Sequence, residues 1–171
     1  MTTLAWVAAG YTRACAALSK AALMLAVVGL IGLILCVQYQ VVGRYIFNDT
    51  PTWAENLALL LVLFVTAFGV AVGVRDAGHI GLDSMIALLP DALRHRLEIA
   101  IHALVTLFGL LMTSSSWEWA TLKWDERKPM LGLPEGIDYV PMVIGGVLIV
   151  LFSVEHIVAL VQGKVVEPAW N

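Results

Sequence analysis

Four stretches of the chain are almost uninterrupted in hydrophobicity, and short polar segments separate them. Residues 21–42 admit Gln38 and Gln40 only near their end, and 57–74 carry no charge. Residues 99–117 hold one histidine, and 139–161 stay apolar until Glu155 and His156. Each run is long enough to cross a bilayer as a helix, which takes about 20 residues. A membrane-spanning strand would alternate apolar and polar positions, and these runs do not. In lipid every backbone polar group must be satisfied internally, so continuous apolar runs predict helices. The expected fold is a single all-α membrane domain over 1–171, with four transmembrane helices in an up-down bundle.

The segment between the second and third runs has another period. Leu82, Met85, Ile86, Leu89 and Leu93 recur at helical spacing, on a stretch too short to span. This predicts a short amphipathic helix over about 79–90, lying in the interface or packed on the protein's own loops. Pro90 ends it, and Asp91 is placed to cap the third long helix.

Composition agrees with lipid as the main solvent. Of 171 residues, 60% are hydrophobic and 13% charged, with mean hydropathy +0.88. Soluble domains carry about 25% charged residues, so this chain could not cover a water-facing surface. A net charge of −3 gives no case for nucleic acid. Cys15 and Cys36 on one helix would lie about 30 Å apart, beyond disulfide reach. Arg13 and Lys20 before the first run suggest a signal peptide, but the run is too long for one and a retained span is expected.

With four spans, Arg13, Lys20, Arg75, Arg94, Arg96 and Lys164 share one side, and Arg44, Lys123, Arg127 and Lys128 the other. The positive-inside rule then puts both termini in the cytoplasm. Tyr45, Trp53, Trp117, Trp119, Trp124 and Tyr139 fall at the outer interface, as an aromatic belt would.

No metalloprotease, redox-dithiol, nucleophile-elbow, P-loop or dinucleotide motif is present, so no catalytic residue is assigned. Ser114–Ser116 suit helix packing. His102 and His156 fall at matched depth on antiparallel spans, and a four-helix redox anchor ligating b-type haem between them is the alternative reading. Near the headgroups, Glu155 and His156 would otherwise be hydrated. No span carries polar residues at its centre or a mid-span proline, so a self-sufficient carrier is not expected. Gly69 and Gly73 form a GxxxG in the second span, with Gly29, Gly32, Gly145 and Gly146 in the first and fourth. Such residues pack helices within a bundle or against a partner, and spacing does not separate the two.

Arg44, Phe47, Pro51, Trp53 and Glu55 lead into the second span, followed by Ala71-x-x-x-Arg75, His79 and Leu89-Pro90. This ordered set, with Pro141 at the start of the fourth span, resembles the small membrane subunit, DctQ type, of tripartite ATP-independent periplasmic (TRAP) transporters. The resemblance covers the whole chain, its specific part being 44–90. The family often has two acids after the tryptophan; here Glu55 is followed by Asn56. It implies a non-catalytic subunit in the bacterial inner membrane, without cofactor or metal. Its implied partners are a large multi-span TRAP subunit, a periplasmic substrate-binding protein and membrane lipids. The implied activity is sodium-driven uptake of organic acids, with this subunit scaffolding the large one.

The residues at the span ends then acquire candidate roles. Thr52 and Glu55 match a capping box, and Pro51 suits a helix start. Arg44 and Glu55 are candidates for an ion pair across the first hairpin. Trp53 is an interfacial anchor or a partner contact. Arg75 and His79 are candidates for headgroup binding, helix capping or contact with the large subunit. Asp125, Glu126, Arg127 and Lys128 form an outer loop, a solvated turn or a docking point for the binding protein.

Overall fold

The computed structural model describes residues 3–49, 51–77, 90–163, 166 and 168. Helix α1 spans Thr3–Ile46 and α2 Thr52–Val72, the latter continuing as a π-helical turn, Gly73–Ala77. Helix α3 spans Asp91–Leu122, and a 3-10 turn at Glu135–Asp138 precedes α4, Val140–Val161. Stretches long and apolar enough to cross a membrane run through all four: Ala8–Ile46, Thr52–Asp76, Leu93–Leu122 and Glu135–Val161. The four-helix expectation therefore holds. Helix α1 extends far beyond its apolar run of 21–42. Its 44 residues make about 66 Å of helix, twice the hydrocarbon thickness. Lipid sets where a chain must be apolar, whereas Ala-rich sequence such as residues 14–17 stays helical beyond it.

The two hairpins, α1–α2 and α3–α4, meet mainly through α2 and α4, which run parallel. The result is a row, α1–α2–α4–α3, with α1 and α3 at its edges. Glycine allows the close approaches. A Cβ at Gly29 would lie 2.9 Å from Val65, and one at Gly145 would lie 3.1 Å from the Ala67 methyl. Gly109 and Gly146 do the same between α3 and α4. Phe68, Ala71, Leu148, Ile149 and Phe152 fill the α2–α4 seam.

Both connections at the hairpin end are built from backbone hydrogen bonds. The Gly43 carbonyl accepts from the amides of Phe47 and Asp49, both at 3.1 Å, with Asn48 at φ 51° making the turn. A Cβ on Gly43 would lie 2.8 Å from the Asp49 carbonyl, so no larger residue fits without movement. Cys36 Sγ reaches the Ala54 carbonyl at 3.1 Å, and Tyr39 packs on Trp53 with ring centroids 5.8 Å apart.

Two capping expectations fail here. Pro51 is the N-cap of α2 and makes no side-chain cap bond, so Thr52 already lies inside the helix and the capping box does not form. Pro90, not Asp91, occupies the N-cap of α3. In both cases the fixed φ of proline starts the helix one residue away from the polar candidate. The amphipathic helix expected over 79–90 lies, apart from Pro90, outside the described residues.

Candidate functional site

The polar residues gather at the end of the bundle opposite the hairpins. There the π turn sets both Arg75 and Asp76 into the interior, 2% and 7% exposed. π-Helical turns are rare and recur at functional sites. From α4, Glu155 enters the same space, 2% exposed. The Arg75 guanidinium grips it with two parallel bonds, Nε to Oε2 at 2.9 Å and Nη2 to Oε1 at 3.0 Å. Its remaining terminal nitrogen, Nη1, lies 2.6 Å from Asp76 Oδ1. Such forked arginine–carboxylate contact fixes direction as well as distance.

The two outer helices join the same node. From α1, the buried Ser19 hydroxyl donates to Asp76 Oδ2. His156 Nε2 lies 2.9 Å from the Arg75 carbonyl oxygen; only an N–H can bond there, so this nitrogen carries the hydrogen. The His156 ring in turn stacks on His102 of α3, centroids 4.5 Å apart and planes within 6°. Polar or ring contacts from all four helices thus converge on Arg75 and its neighbour. One turn away, Tyr11 of α1 donates to the Leu151 carbonyl at 2.7 Å. A cavity of about 100 Å³ lies between α1 and α4, bordered by Tyr11, Thr12, Glu155, Val158 and Gln162.

This geometry corrects several sequence expectations. Glu155 is not a hydrated headgroup-level acid but a buried ion-pair partner. Arg75 turns all three guanidinium nitrogens inward, which leaves no fork for a lipid phosphate. The haem alternative does not fit. Axial ligation needs two imidazole nitrogens aimed from opposite sides at one iron, whereas these rings lie face to face in contact. Among the described residues no group of three or more His, Cys, Asp or Glu is placed to hold a metal ion.

At the other end, Arg44 and Glu55 are both exposed and form no ion pair among the described residues. The Gly43 turn brings backbone, not these side chains, together. Trp53 is 42% exposed, as an interfacial anchor would be. His79 lies outside the described residues. Gly69 and Gly73 pack against none of the described residues: a Cβ at either would meet nothing within 4 Å among them. The loop between α3 and α4 is a folded hairpin. Lys123 pairs with Glu126 at 2.6 Å, Lys128 with Asp138 at 2.6 Å, and Arg127 donates to the Gly132 carbonyl at 3.0 Å. Hydrogen bonding to Lys123 holds the Glu126 carboxyl below its ordinary value and raises the lysine.

Glu155, Asp76 and Ser19 are the residues that sequence reasoning missed as a site. A signal existed. An acid inside a span is costly enough to demand a partner, and Arg75 is a cation at the end of another span.

A family described as "Tripartite ATP-independent periplasmic transporters, DctQ component" matches residues 33–163. A putative TRAP transporter small permease protein of Haemophilus influenzae is 24% identical over 139 residues, 80% of this chain and 84% of that protein. The C4-dicarboxylate TRAP transporter small permease protein DctQ of Vibrio cholerae serotype O1 is 30% identical over 80 residues, 47% of this chain and 34% of that protein. The sialic acid TRAP transporter permease protein SiaT of Haemophilus influenzae is 32% identical over 66 residues, 39% of this chain and 11% of that protein. With four membrane-spanning helices and a family match from the middle of α1 to the end of α4, the chain belongs to the DctQ component of the tripartite ATP-independent periplasmic transporters, a multi-pass membrane component of a transport system and not an enzyme.

Proposed function

We propose that the chain is the non-catalytic small permease subunit of a sodium-driven, binding-protein-dependent transporter for organic acids. It scaffolds a large membrane subunit in the bacterial inner membrane, with both termini cytoplasmic. The observation that carries the scaffold role is the outward face of α2. Val62, Thr66, Gly69, Val70 and Gly73 fall on one side of the helix, and Val62, Thr66, Gly69 and Val70 are exposed. The two glycines make that side flat enough for another helix backbone to approach, which is how helices associate where lipid supplies no hydrophobic drive. The large subunit is the occupant we assign to it. In support, the relative SiaT matches over only 11% of its length, so there a segment like this one belongs to a much longer permease chain. The carboxylate-bearing solutes in the names of two relatives, C4-dicarboxylate and sialic acid, support the substrate class. The interior argues against a solute path of its own. Its buried charges grip one another, and the cavity beside them is smaller than the roughly 300 Å³ at which ligand pockets begin.

Gly69→Leu combined with Gly73→Leu tests the reading. A Cβ at either position meets nothing within 4 Å among the described residues, so the chain's own thermal unfolding should be unchanged. Recovery of the large subunit with the tagged chain from mild-detergent extracts should fall to background. Undiminished recovery with the double variant would remove α2 as the docking face.

A further inference from the structure

We infer that the four-helix polar node is the register key of the bundle: it selects one alignment of α2 against α4 from several that their apolar faces leave close in energy. The inference deepens the scaffold reading, because α2 carries the face assigned above, but the register itself is a property of this chain alone.

The α2–α4 seam is chemically repetitive. Gly145 of α4 packs on Ala67 of α2, and Ala71 lies four residues further along α2 in the same buried seam. Sliding α4 by one turn, about 5.4 Å, would set Gly145 against Ala71, again a methyl. Around them, Phe68, Leu148, Ile149 and Phe152 are apolar and adaptable. In lipid a shifted packing loses little, since the alternative environment is equally apolar.

The node does not tolerate the same shift. Moving Glu155 by one turn carries both oxygens out of reach of Arg75 and leaves a buried carboxylate without its cation, while Arg75 keeps only Asp76. The forked contact at 2.9 and 3.0 Å admits one axial position and one orientation. Asp76 is held from α1 by Ser19, and His156 ties the Arg75 carbonyl to the ring of His102 on α3. Among the described residues, the titratable groups facing the node are Tyr11 and Cys15 from α1, Asp76, Glu155, and His102 with His156. One alignment satisfies the contacts from all four helices together. Registry is the best-attested use of buried ionic groups, whose contribution to stability is often small.

The experiment measures register directly. Spin labels are placed at Val62 and Val147, both exposed, in a background with Cys15→Ala and Cys36→Ala, and the chain is reconstituted in lipid nanodiscs. Pulsed electron double resonance should give one narrow distance for the parent. In Arg75→Met combined with Glu155→Met and Asp76→Asn the charges are gone, the volume remains, and the amide can still accept from Ser19. Unfolding temperature should stay near the parent's, while the distance splits into populations separated by up to about 5 Å, the rise of one turn. Arg75→Lys retains the charge and loses the fork, and should broaden the distribution with the fold intact. A single unchanged distance in both variants overturns the inference. Co-purification separates the two readings. Failure of the unaltered chain to recover a large subunit would defeat the scaffold reading, and the distance measurement would still decide the register.

Discussion

Replacing Glu155 with leucine removes one side of a deeply buried ion pair. Both side chains are 1% exposed, so water cannot take the place of the lost carboxylate. Breaking a buried pair by deleting one partner costs about 3–5 kcal/mol, most of it the penalty on the charge left behind. Arg75 would keep Asp76 at 2.6 Å, which places Glu155→Leu at the lower end, about 3 kcal/mol. That is roughly a hundred-fold in the folding constant. Arg75→Met should cost more, about 5 kcal/mol, because it strands two carboxylates instead of one guanidinium. Equilibrium unfolding in mixed detergent micelles, followed by far-ultraviolet circular dichroism, measures both. The reasoning is refuted if Glu155→Leu stays within about 1 kcal/mol of the parent, or if Arg75→Met proves the milder change.

Gly136→Ala should destabilise the second hairpin by about 1–3 kcal/mol. Its Cβ would strike the Ala120 carbonyl and lie 3.1 Å from the Trp124 ring; the same unfolding assay reads the loss. Tyr11→Phe removes the bond to the Leu151 carbonyl and should cost about 1 kcal/mol, with little change in cavity shape. Arg44→Ala should change stability by less than about 0.5 kcal/mol, since the exposed guanidinium pairs with no acid among the described residues. The loop between α3 and α4 has a pH window. The depressed Glu126 contributes order that is present above the ordinary carboxyl value of 4.5 and lost as pH falls through its lowered value. The raised Lys123 contributes below its ordinary value of 10.5 and is lost as pH rises through its raised value. Amide protection factors at residues 123–128, taken relative to the intrinsic exchange rate at each pH, should therefore be highest between these limits and insensitive to pH within them.

The comparison of Gly69 with Gly145 shows how far a sequence can be read. Both are small residues in apolar spans, and both fit helix packing. Only the rotation of each helix decides that Gly145 meets Ala67 while Gly69 faces outward. His102 and His156 were legible as a pair at equal depth, because rise per residue is fixed. Their stacking, which rules out haem between them, depends on side-chain direction and on the bond from His156 to the Arg75 carbonyl. At the first hairpin, Arg44 and Glu55 are close enough in sequence to suggest a pair, yet the turn turns on Gly43 and on backbone hydrogen bonds.

Number, approximate position and connectivity of the spans were determined by sequence alone. A helix satisfies its own backbone locally, and lipid demands apolar side chains wherever it meets one. The family, too, was visible in the ordered residues around the first hairpin. Tertiary structure decided what the charges at the span ends do. Arg75 and Glu155 stand 80 positions apart, and only the parallel packing of α2 on α4 brings them together. Burial then changes their physics: charges that would be solvated and weakly coupled at an interface become, at 1% exposure, groups that must find each other.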